Sequence, residues 1–189
     1  MGDVEYYLDL EVYSKGKRPD PDKDKIITIQ FQRLDLKKGA PLEPLTILKE
    51  WESSEESIVR AFFNKFFSQG VGWHFVPVGY NLSFEFEFLL SKFRRYCGIN
   101  WTSRDLHYNI PHVDLKPLVI LLNGGEFKGS ALHNFTSKKV GGWVVPKYYE
   151  GGEFDKIEEY IMLEAEAFVE FLGNVMRHSN TWLRDIMEG

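Results

Sequence analysis

The run Glu5-Tyr-Tyr-Leu-Asp-Leu-Glu-Val-Tyr13 constrains the fold most strongly, because apolar and polar side chains alternate along it. A β-strand sends successive side chains to opposite faces, so its two leucines and its valine share one face and belong to a core. Asp9 and Glu11 share the other face, roughly 6.6 Å apart along the strand. Other acid pairs have the same spacing, but this pair stands in an otherwise apolar strand. Two carboxylates so placed predict a site that binds cations.

Length and composition indicate one globular domain. At 189 residues the chain most simply forms a single domain, 1–189, that can bury a substantial core. No apolar run approaches the ~20 residues of a membrane span and no secretion signal is present, so we expect a cytoplasmic protein without a membrane partner. The lone Cys97 excludes an internal disulfide and a multi-cysteine zinc site. The net charge of −5 argues against a protein that holds long duplex DNA through its phosphates.

The spacing of apolar residues predicts a mixture of strands and helices. Ser53, followed by Glu56, fits the capping box of a first helix. Strands are expected at 5–13, 26–34, 46–51, 73–79 and 112–115. Helices are expected at 53–67, 82–97, 116–122 and 153–178, with a terminal piece to 187 and one more helix near 130–138 in an irregular stretch. This order predicts an α/β fold whose sheet is antiparallel in its first three strands and then parallel, flanked by helices.

The last long helix carries an acid within its apolar stripe. At about 100° per residue, one face of this helix collects six apolar residues. These are Ile157, Ile161, Phe168, Phe171, Leu172 and Val175. Glu164 lies in the middle of this face, and because an unpartnered buried carboxylate is unfavourable, it should face a cation, a strong donor or a cleft. The edge of a wet groove or a lysine partner is the alternative. Tyr160 lies one turn earlier, on the edge of the same face.

The segment Val78-Gly-Tyr-Asn-Leu-Ser-Phe-Glu-Phe-Glu-Phe-Leu89 predicts a strand end, a tight turn and the first turns of a helix. Asn81 can cap this helix. Glu85 and Glu87 lie on the two flanks of its apolar stripe, so periodicity does not choose between them. An acid near a helix N-terminus is also favourable whatever its function, because it interacts with the helix dipole.

These three motifs, in this order, resemble the exonuclease motifs of the DnaQ-like 3′–5′ exonucleases, members of the ribonuclease H-like superfamily. The matching residues are Asp9 with Glu11, Glu85 in the turn motif, and Tyr160 with Glu164 in the tyrosine form of the third motif. His112-Val-Asp-Leu115 also resembles the strand end between the second and third motifs. The resemblance runs from Tyr7 to about Leu172 and suggests an archaeal exonuclease of the family.

The resemblance implies a ribonuclease H-like fold and hydrolysis of phosphodiester bonds by two divalent ions about 3.5–4 Å apart. The four acids would hold the ions, with Asp9 bridging both. Oxygen ligands suit Mg²⁺ or Mn²⁺. Tyr160 would orient the attacking water rather than remove its proton. Because four crowded carboxylates repel one another, bound metal should stabilise the fold.

Substrate contacts are predicted at Leu10, Asn81, Phe84 and Phe88. Phe84 and Phe88 lie off the apolar stripe of their helix, so one of them could stack on or wedge a terminal base. Packing against a neighbouring element or subunit is the alternative. The family usually has aspartate at the positions of Glu85 and Glu164. The extra methylene moves each carboxylate outward, which could displace a metal or change the metal preference.

The leading hypothesis is a metal-dependent 3′–5′ exonuclease that acts on the 3′ end of single-stranded nucleic acid, with DNA slightly favoured over RNA. An exoribonuclease or oligonucleotide-clearing enzyme on the same fold is the alternative enzyme. The non-enzymatic alternative is a catalytically weak ribonuclease H-like module that binds nucleic acid or a polymerase. This alternative stays open because Glu85 and Glu164 stand where the family usually has aspartate. A homo-oligomer and a polymerase or repair partner are compatible with these hypotheses.

Overall fold

One six-stranded sheet organises the chain in the computed structural model, which describes residues 4–16, 18–136 and 141–188, with the backbone alone at 180 and 183–188. The strands are β1 (Glu5–Tyr13), β2 (Lys25–Asp35), β3 (Ala40–Pro41), β4 (Thr46–Lys49), β5 (Val76–Gly79) and β6 (Val113–Asp114). The short β3 was not predicted. The strand expected at 46–51 ends at Lys49, because a 3₁₀ turn, Glu50–Glu52, follows it.

β1 lies in the middle of the sheet, where the antiparallel and parallel parts meet. It pairs antiparallel with β2 along almost its whole length and parallel with β5 near its start. β3 and β4 both pair antiparallel with β2, and β6 pairs parallel with β5. The predicted mixed sheet, antiparallel among its early strands and then parallel, is confirmed.

Within the described ranges, six α-helices accompany the sheet. They are α1 (Glu55–Phe66), α2 (Leu82–Lys92), α3 (Ser103–Asn109), α4 (Lys116–Leu122), α5 (Val145–Glu150) and α6 (Phe154–Glu188). α2 continues as a π-helical segment, Phe93–Cys97, and stops at Gly98 as predicted.

Two of these helices begin differently from the prediction. The N-cap of α1 is Ser54 rather than Ser53, because the Ser54 hydroxyl accepts the N–H of Ser57 over 3.1 Å. α3 was not predicted at all. It starts with a reciprocal capping box between Thr102 and Asp105, in which aspartate takes the place of the more usual glutamate.

The glycine-rich stretch before α6 also differs from the prediction. The helix expected near 130–138 is one 3₁₀ turn, Leu132–Asn134, and positions 137 and 138 lie outside the described residues. A second 3₁₀ turn, Gly142–Val144, leads into α5, which was not predicted. The last long helix and its terminal piece form the single helix α6. Although α6 has 35 residues, no helix in the described part of the chain is both long and apolar enough to cross a membrane.

The sheet is buried on both faces, which places β1 between two layers of helices. The leucines of β1 and Val12 belong to a core shared with α1 and α2. On the opposite face Tyr7 packs against Phe168 of α6, with ring centroids 4.8 Å apart. Because side chains alternate along a strand, Asp9 and Glu11 face the α6 layer with Tyr7.

A β-bulge preserves this two-sided arrangement beside the acids. The pairing of β1 with β2 shifts between Glu11 and Val12, which leaves Ile27 as an extra residue in β2. Ile26 can therefore stay opposite Val12 in the α1 and α2 core, while Ile27 joins the cluster around α6. A strict two-residue period would turn Ile26 out of its core.

The turn between β2 and β3 packs directly on α6 through two glycines, and this close approach can be tested. Gly39 has a φ of 60°, and a Cβ added to it would lie 2.5 Å from the Cα of Gly173. We expect Gly39→Ala to lower the free energy of unfolding by about 2–3 kcal/mol, because left-handed strain and a backbone clash add. Urea unfolding measures the loss.

Gly98→Ala is the matched control for this substitution. Gly98 has a φ of 69°, but nothing lies within 4 Å of an added Cβ. Gly98→Ala should therefore lower the free energy of unfolding only by the backbone strain, about 1 kcal/mol. Equal losses in the two variants would show that the contact between Gly39 and Gly173 contributes nothing.

Candidate functional site

Three carboxylates meet where β1 faces α6. Asp9, Glu11 and Glu164 each offer one oxygen, and these oxygens all lie within 4.8 Å of one another. The first two reach this point because alternate residues of β1 face α6. Glu164 reaches it because it interrupts the buried stripe of α6. Such a group of close oxygens could hold a metal ion.

Glu85 lines the same cleft but stands outside this group of three. It is in the first turn of α2 and is 4% exposed, and its Oε2 has no hydrogen-bond partner among the described residues. Burial raises the pKa of the Glu85 carboxyl well above its usual value, and the charges of Asp9, Asp114 and Glu164 raise it further. Glu87 is exposed. The tertiary structure thus makes the choice that periodicity leaves open.

Tyr160 brings a hydroxyl group to the carboxylates. Its side chain is 6% exposed, and its hydroxyl donates a hydrogen bond to Glu164, one turn further along α6. Burial raises the pKa of Tyr160 far above its usual value, with the charges of Glu11 and Glu164 adding to the effect. The side chain therefore remains a neutral donor. The hydroxyl lies beside Gly142, where an added Cβ would be 3.4 Å from it.

Buried polar residues of β2 orient Asp9. Gln30 stands directly opposite it in the sheet, and Gln30 Nε2 donates to Asp9 Oδ2 over 2.9 Å. The Thr28 hydroxyl donates to Gln30 Oε1 over 3.0 Å, and both side chains are fully buried. The Tyr7 hydroxyl also donates to Asp9 Oδ2, at 3.4 Å. The alternation of polar Thr28 and Gln30 in an apolar strand is a signal for this support, but the strand register was needed to recognise it.

The turn before α2 is held by Asp114 rather than by Asn81. Asn81 occupies the N-cap position with a φ of 70°, and its side chain makes no capping bond. The Asp114 carboxylate instead accepts the N–H groups of Asn81 at 2.8 Å and Leu82 at 3.0 Å. Lys116 Nζ donates to Asn81 Oδ1 over 2.7 Å, which orients the amide. Capping by the Asn81 side chain is thus a wrong prediction, whereas the strand expected at 112–115 is observed as β6.

The four acids and Tyr160 line a cleft of about 490 Å³. Three of the residues predicted to contact substrate border it, namely Leu10, Asn81 and Phe84. The Leu10 side chain is nevertheless largely in the core. Phe88 is 1% exposed, with its ring centroid 4.9 Å from that of Phe84. The Phe88 side chain is therefore packed in the core, as in the alternative in which it contacts a neighbouring element, and substrate binding by Phe88 stays a prediction.

The far wall of the cleft comes from the stretch predicted to be irregular. Phe127 and His133 line it. Tyr80 ties this wall to the end of β5, because its hydroxyl donates a hydrogen bond to the Ser130 carbonyl. Burial raises the pKa of Tyr80 to about 12, with the charge of Asp114 contributing, so the hydroxyl keeps its proton. The sequence around these residues carries no periodic signal that could have identified them.

Comparisons with known proteins identify the fold. No protein-family model and no curated protein matches the sequence, whereas 41 chains of solved structures match. The family B DNA polymerase of the hyperthermophilic archaeon Pyrobaculum calidifontis aligns with a TM-score of 0.58 and 16% identity, over 92% of this chain and 24% of that one. The zinc-bound complex of E. coli exonuclease I with single-stranded DNA aligns with a TM-score of 0.52 and 12% identity, over 70% of this chain and 34% of that one.

The fold is ribonuclease H-like, as predicted. Its mixed sheet, with antiparallel and parallel pairs and flanking helices, is the architecture shared with these neighbours. The chain spans about a third or less of the length of each neighbour.

Divalent metal should stabilise the protein. An ion present at a hundred times its Kd contributes about 2.7 kcal/mol to the folded state, so saturating Mg²⁺ or Mn²⁺ should raise the unfolding temperature above that in EDTA. At a pH above the folded pKa of Glu85, Glu85→Gln should stabilise the metal-free protein, because it removes a buried charge, and it should reduce the rise that metal produces. Scanning calorimetry measures both effects. Glu87→Gln, an exposed change on the same helix, is the control and should alter neither.

A pH series in EDTA provides a second readout of the same buried charge. The pKa of Glu85 is higher in the folded protein than in the unfolded chain, where it is about 4.3. The folded state therefore binds more protons between these two values, and stability is lost as the pH rises through the folded pKa. Glu85→Gln should reduce this fall of the free energy of unfolding with rising pH. If the fall is unchanged in the variant, groups other than Glu85 cause it.

Gln30 should control metal affinity through Asp9. Gln30→Met keeps the approximate side-chain volume but removes the donor to Asp9, and loss of such outer partners typically weakens metal binding about 10–100-fold. Isothermal titration with Mn²⁺ measures the change. Gln32→Met is the matched control, because Gln32 stands two residues further along β2 and donates to the Glu43 carbonyl instead. Equal weakening in both variants would contradict a positioning role for Gln30.

Proposed function

We propose that the protein is a metal-dependent 3′–5′ exonuclease that hydrolyses phosphodiester bonds from the 3′ end of single-stranded nucleic acid, with DNA slightly favoured. The observation that carries this proposal is the meeting of Asp9, Glu11 and Glu164, whose oxygens lie within 4.8 Å of one another. Glu85 and the Tyr160 hydroxyl line the same cleft. These five residues occupy the acid and tyrosine positions of the DnaQ-like motifs.

The donor set fits hard divalent ions. Carboxylate oxygens suit Mg²⁺ or Mn²⁺, and Asp9, Glu11 and Glu164 are the residues that would hold them. The buried Oε2 of Glu85, an acceptor without a partner among the described residues, would be satisfied by a cation. Bound there, such ions would lower the pKa of a coordinated water and stabilise the charge on the leaving oxygen.

Tyr160 positions the attacking water in this proposal. Its pKa is raised far above its usual value by burial and by the neighbouring acids, so it donates a proton in a hydrogen bond and does not accept one from water. Its bond to Glu164 fixes the direction of the hydroxyl. Because small errors in the placement of a nucleophile reduce rates strongly, a positioning group of this kind contributes without taking part in proton transfer.

Two residues of the second motif would contact the strand end. The Asn81 side-chain amide borders the cleft. Asp114 accepts the backbone N–H of Asn81, and Lys116 donates to the oxygen of the amide. Phe84 is half-buried at the same border, where one ring face could stack on the terminal base. These contacts would seat the scissile bond near the carboxylates.

The structural neighbours are compatible with this reaction class. One is a complex of exonuclease I with single-stranded DNA, and another is a family B DNA polymerase. At 12% and 16% identity, these likenesses concern the fold alone. The proposal therefore rests on the carboxylates and Tyr160.

A second candidate, a catalytically weak module that binds nucleic acid, is favoured by the position of Glu85. Its oxygens are not part of the group within 4.8 Å that the other three acids form. Glu85 and Glu164 also stand where the family usually has aspartate. In this alternative the acids do not hold the full set of ions, so nucleic acid is bound but not cleaved.

End-labelled substrates distinguish these functions. The protein is incubated with Mg²⁺ or Mn²⁺ and with single strands of DNA or RNA labelled at either end. We expect a ladder from 5′-labelled strands and early release of the 3′ label, faster on DNA than on RNA. Faster release from RNA would favour the exoribonuclease or oligonucleotide-clearing enzyme. Binding without cleavage under either metal would favour the binding module.

Substitutions in the cleft test the assignment of residues. Asp9→Asn should lower kcat by at least about 10²-fold, because it removes a charge that holds the metal. Tyr160→Phe should lower kcat by about 10–10²-fold and leave metal affinity unchanged, because it removes only the positioning hydroxyl. Glu87→Gln is the exposed control and should retain full activity. Undiminished cleavage by Asp9→Asn would place the active site elsewhere.

A further inference from the structure

Two large exposed aromatic side chains lie in the lining of the acidic cleft or next to it in the chain. Phe127 is 76% exposed and lines the cleft directly. Trp143 is 80% exposed and follows Gly141 and Gly142, which both line the cleft. Single exposed aromatic residues are common on protein surfaces. Two of them at one cleft indicate a surface for a ligand with flat apolar faces.

Trp143 is held close to the proposed reaction centre. A Cβ added to Gly141 would lie 3.2 Å from Trp143 Cδ1, so the indole lies beside Gly141, which lines the cleft. A Cβ added to Gly142 would be 3.4 Å from the Tyr160 hydroxyl oxygen. The two valines that follow Trp143 are buried in the same cluster as Tyr160. The backbone that carries the indole is therefore anchored beside the catalytic tyrosine.

Phe127 stands on a turn held by several hydrogen bonds. Its carbonyl accepts the Ser130 N–H at 3.2 Å and the Ser130 hydroxyl at 2.7 Å. Asn123 Nδ2 donates to the carbonyls of the residues on either side of Phe127, at 2.8 and 2.9 Å. Tyr80 binds the Ser130 carbonyl in turn. This turn presents the ring at a defined place, which reduces the entropy lost when a ligand binds.

The charges of the cleft favour contacts with bases over contacts with phosphates. Four carboxylates line the cleft, whereas the basic side chains among its described lining residues are Lys116 and His133. The Lys116 ammonium already donates to Asn81 Oδ1. A polyanion thus meets little positive charge along the described walls beyond any bound metal, and much of its affinity must come from its bases.

We propose that Phe127 and Trp143 stack on unpaired nucleobases beside the scissile end and so select single strands. This inference rests on the proposed function and adds the feature of the substrate that is recognised. Every base has a flat face, so stacking tolerates any sequence. Base pairs in a duplex already cover those faces, so the rings reject paired ends. The substrate class is therefore a single strand of any sequence with intact bases near its 3′ end.

Binding and cleavage are measured separately to test this proposal. Fluorescence anisotropy in Mg²⁺ follows a 5′-labelled oligothymidylate whose 3′-terminal linkages are phosphorothioates. Phe127→Ala and Trp143→Ala should each weaken binding by about 5–150-fold, and Trp143→Phe should retain most of the affinity. Trp73→Ala is the matched control, because Trp73 is 74% exposed but neither it nor its neighbours in the sequence line the cleft, whereas Gly141 and Gly142 beside Trp143 do. Circular dichroism checks that every variant folds.

An abasic strand tests whether the rings act on bases. The same oligonucleotide with abasic nucleotides at its 3′ end should bind the wild type at least as weakly as the intact strand binds either alanine variant. The double variant Phe127→Ala/Trp143→Ala, which has neither ring, should bind both strands equally. Full affinity of the wild type for the abasic strand would overturn the proposal. So would unchanged affinity in both alanine variants, or an equal loss in Trp73→Ala.

Kinetics on cleavable DNA separate failure of this proposal from failure of the proposed function. The alanine variants should raise KM and leave kcat within about two-fold, whereas Asp9→Asn lowers kcat. Cleavage with unchanged KM in both variants would overturn stacking and leave the nuclease function standing. Binding that depends on both rings, without cleavage by the wild type, would support stacking and overturn the nuclease function. No binding by the wild type would overturn both.

Discussion

Repulsion among carboxylates in one partly buried cleft is the constraint to which the rest of the site responds. Asp9, Glu11 and Glu164 lie too close together to be stable as three bare charges. Hydrogen-bond donors offset part of this cost, since Gln30 donates to Asp9 and Tyr160 to Glu164. Glu85 keeps one oxygen, Oε2, without a hydrogen-bond partner among the described residues, and burial, with the charge of Asp9 adding to it, raises its pKa. A bound divalent cation would offset the remaining repulsion among the carboxylates.

The fold supplies the rigidity that such a site requires. β1 is buried on both faces, so the backbone that carries two of the acids cannot shift without disturbing two cores. α6 is pressed against the sheet by its apolar stripe and by the contact of Gly173 with the β2–β3 turn. Asp114 holds the start of α2 by accepting two backbone N–H groups. The acids are therefore positioned by elements that pack independently of any ligand.

Local periodicity was a good guide wherever one element decides the outcome. Asp9 and Glu11 were placed on one face by the two-residue period of a strand, and Glu164 was placed in an apolar stripe by the helical period. The structure has all three in these positions. Periodicity failed where packing against a neighbouring element decides the outcome. It did not predict whether Glu85 or Glu87 faces the cleft.

The features that local patterns missed also depend on contacts between distant segments. Phe88 lies off the main stripe of α2 but is buried in the core cluster that α2 shares with α1 and the sheet. Gln30 supports Asp9 only because the two strands pair in a register that places them opposite each other. The capping of α2 by Asp114 joins residues more than thirty positions apart, and no local pattern encodes such a contact.

The sequence by itself determined the class of fold, the order of most strands and helices, and which side chains share a face, because these follow from periods of two and 3.6 residues. The tertiary structure decided which faces meet. It brought β1, α2 and α6 together at one cleft, placed Glu85 rather than Glu87 in its lining, buried Phe88, and placed Phe127 in the lining and Trp143 next to Gly142, which also lines it. Those outcomes depend on strand register and on packing between distant segments, which are properties of the whole chain.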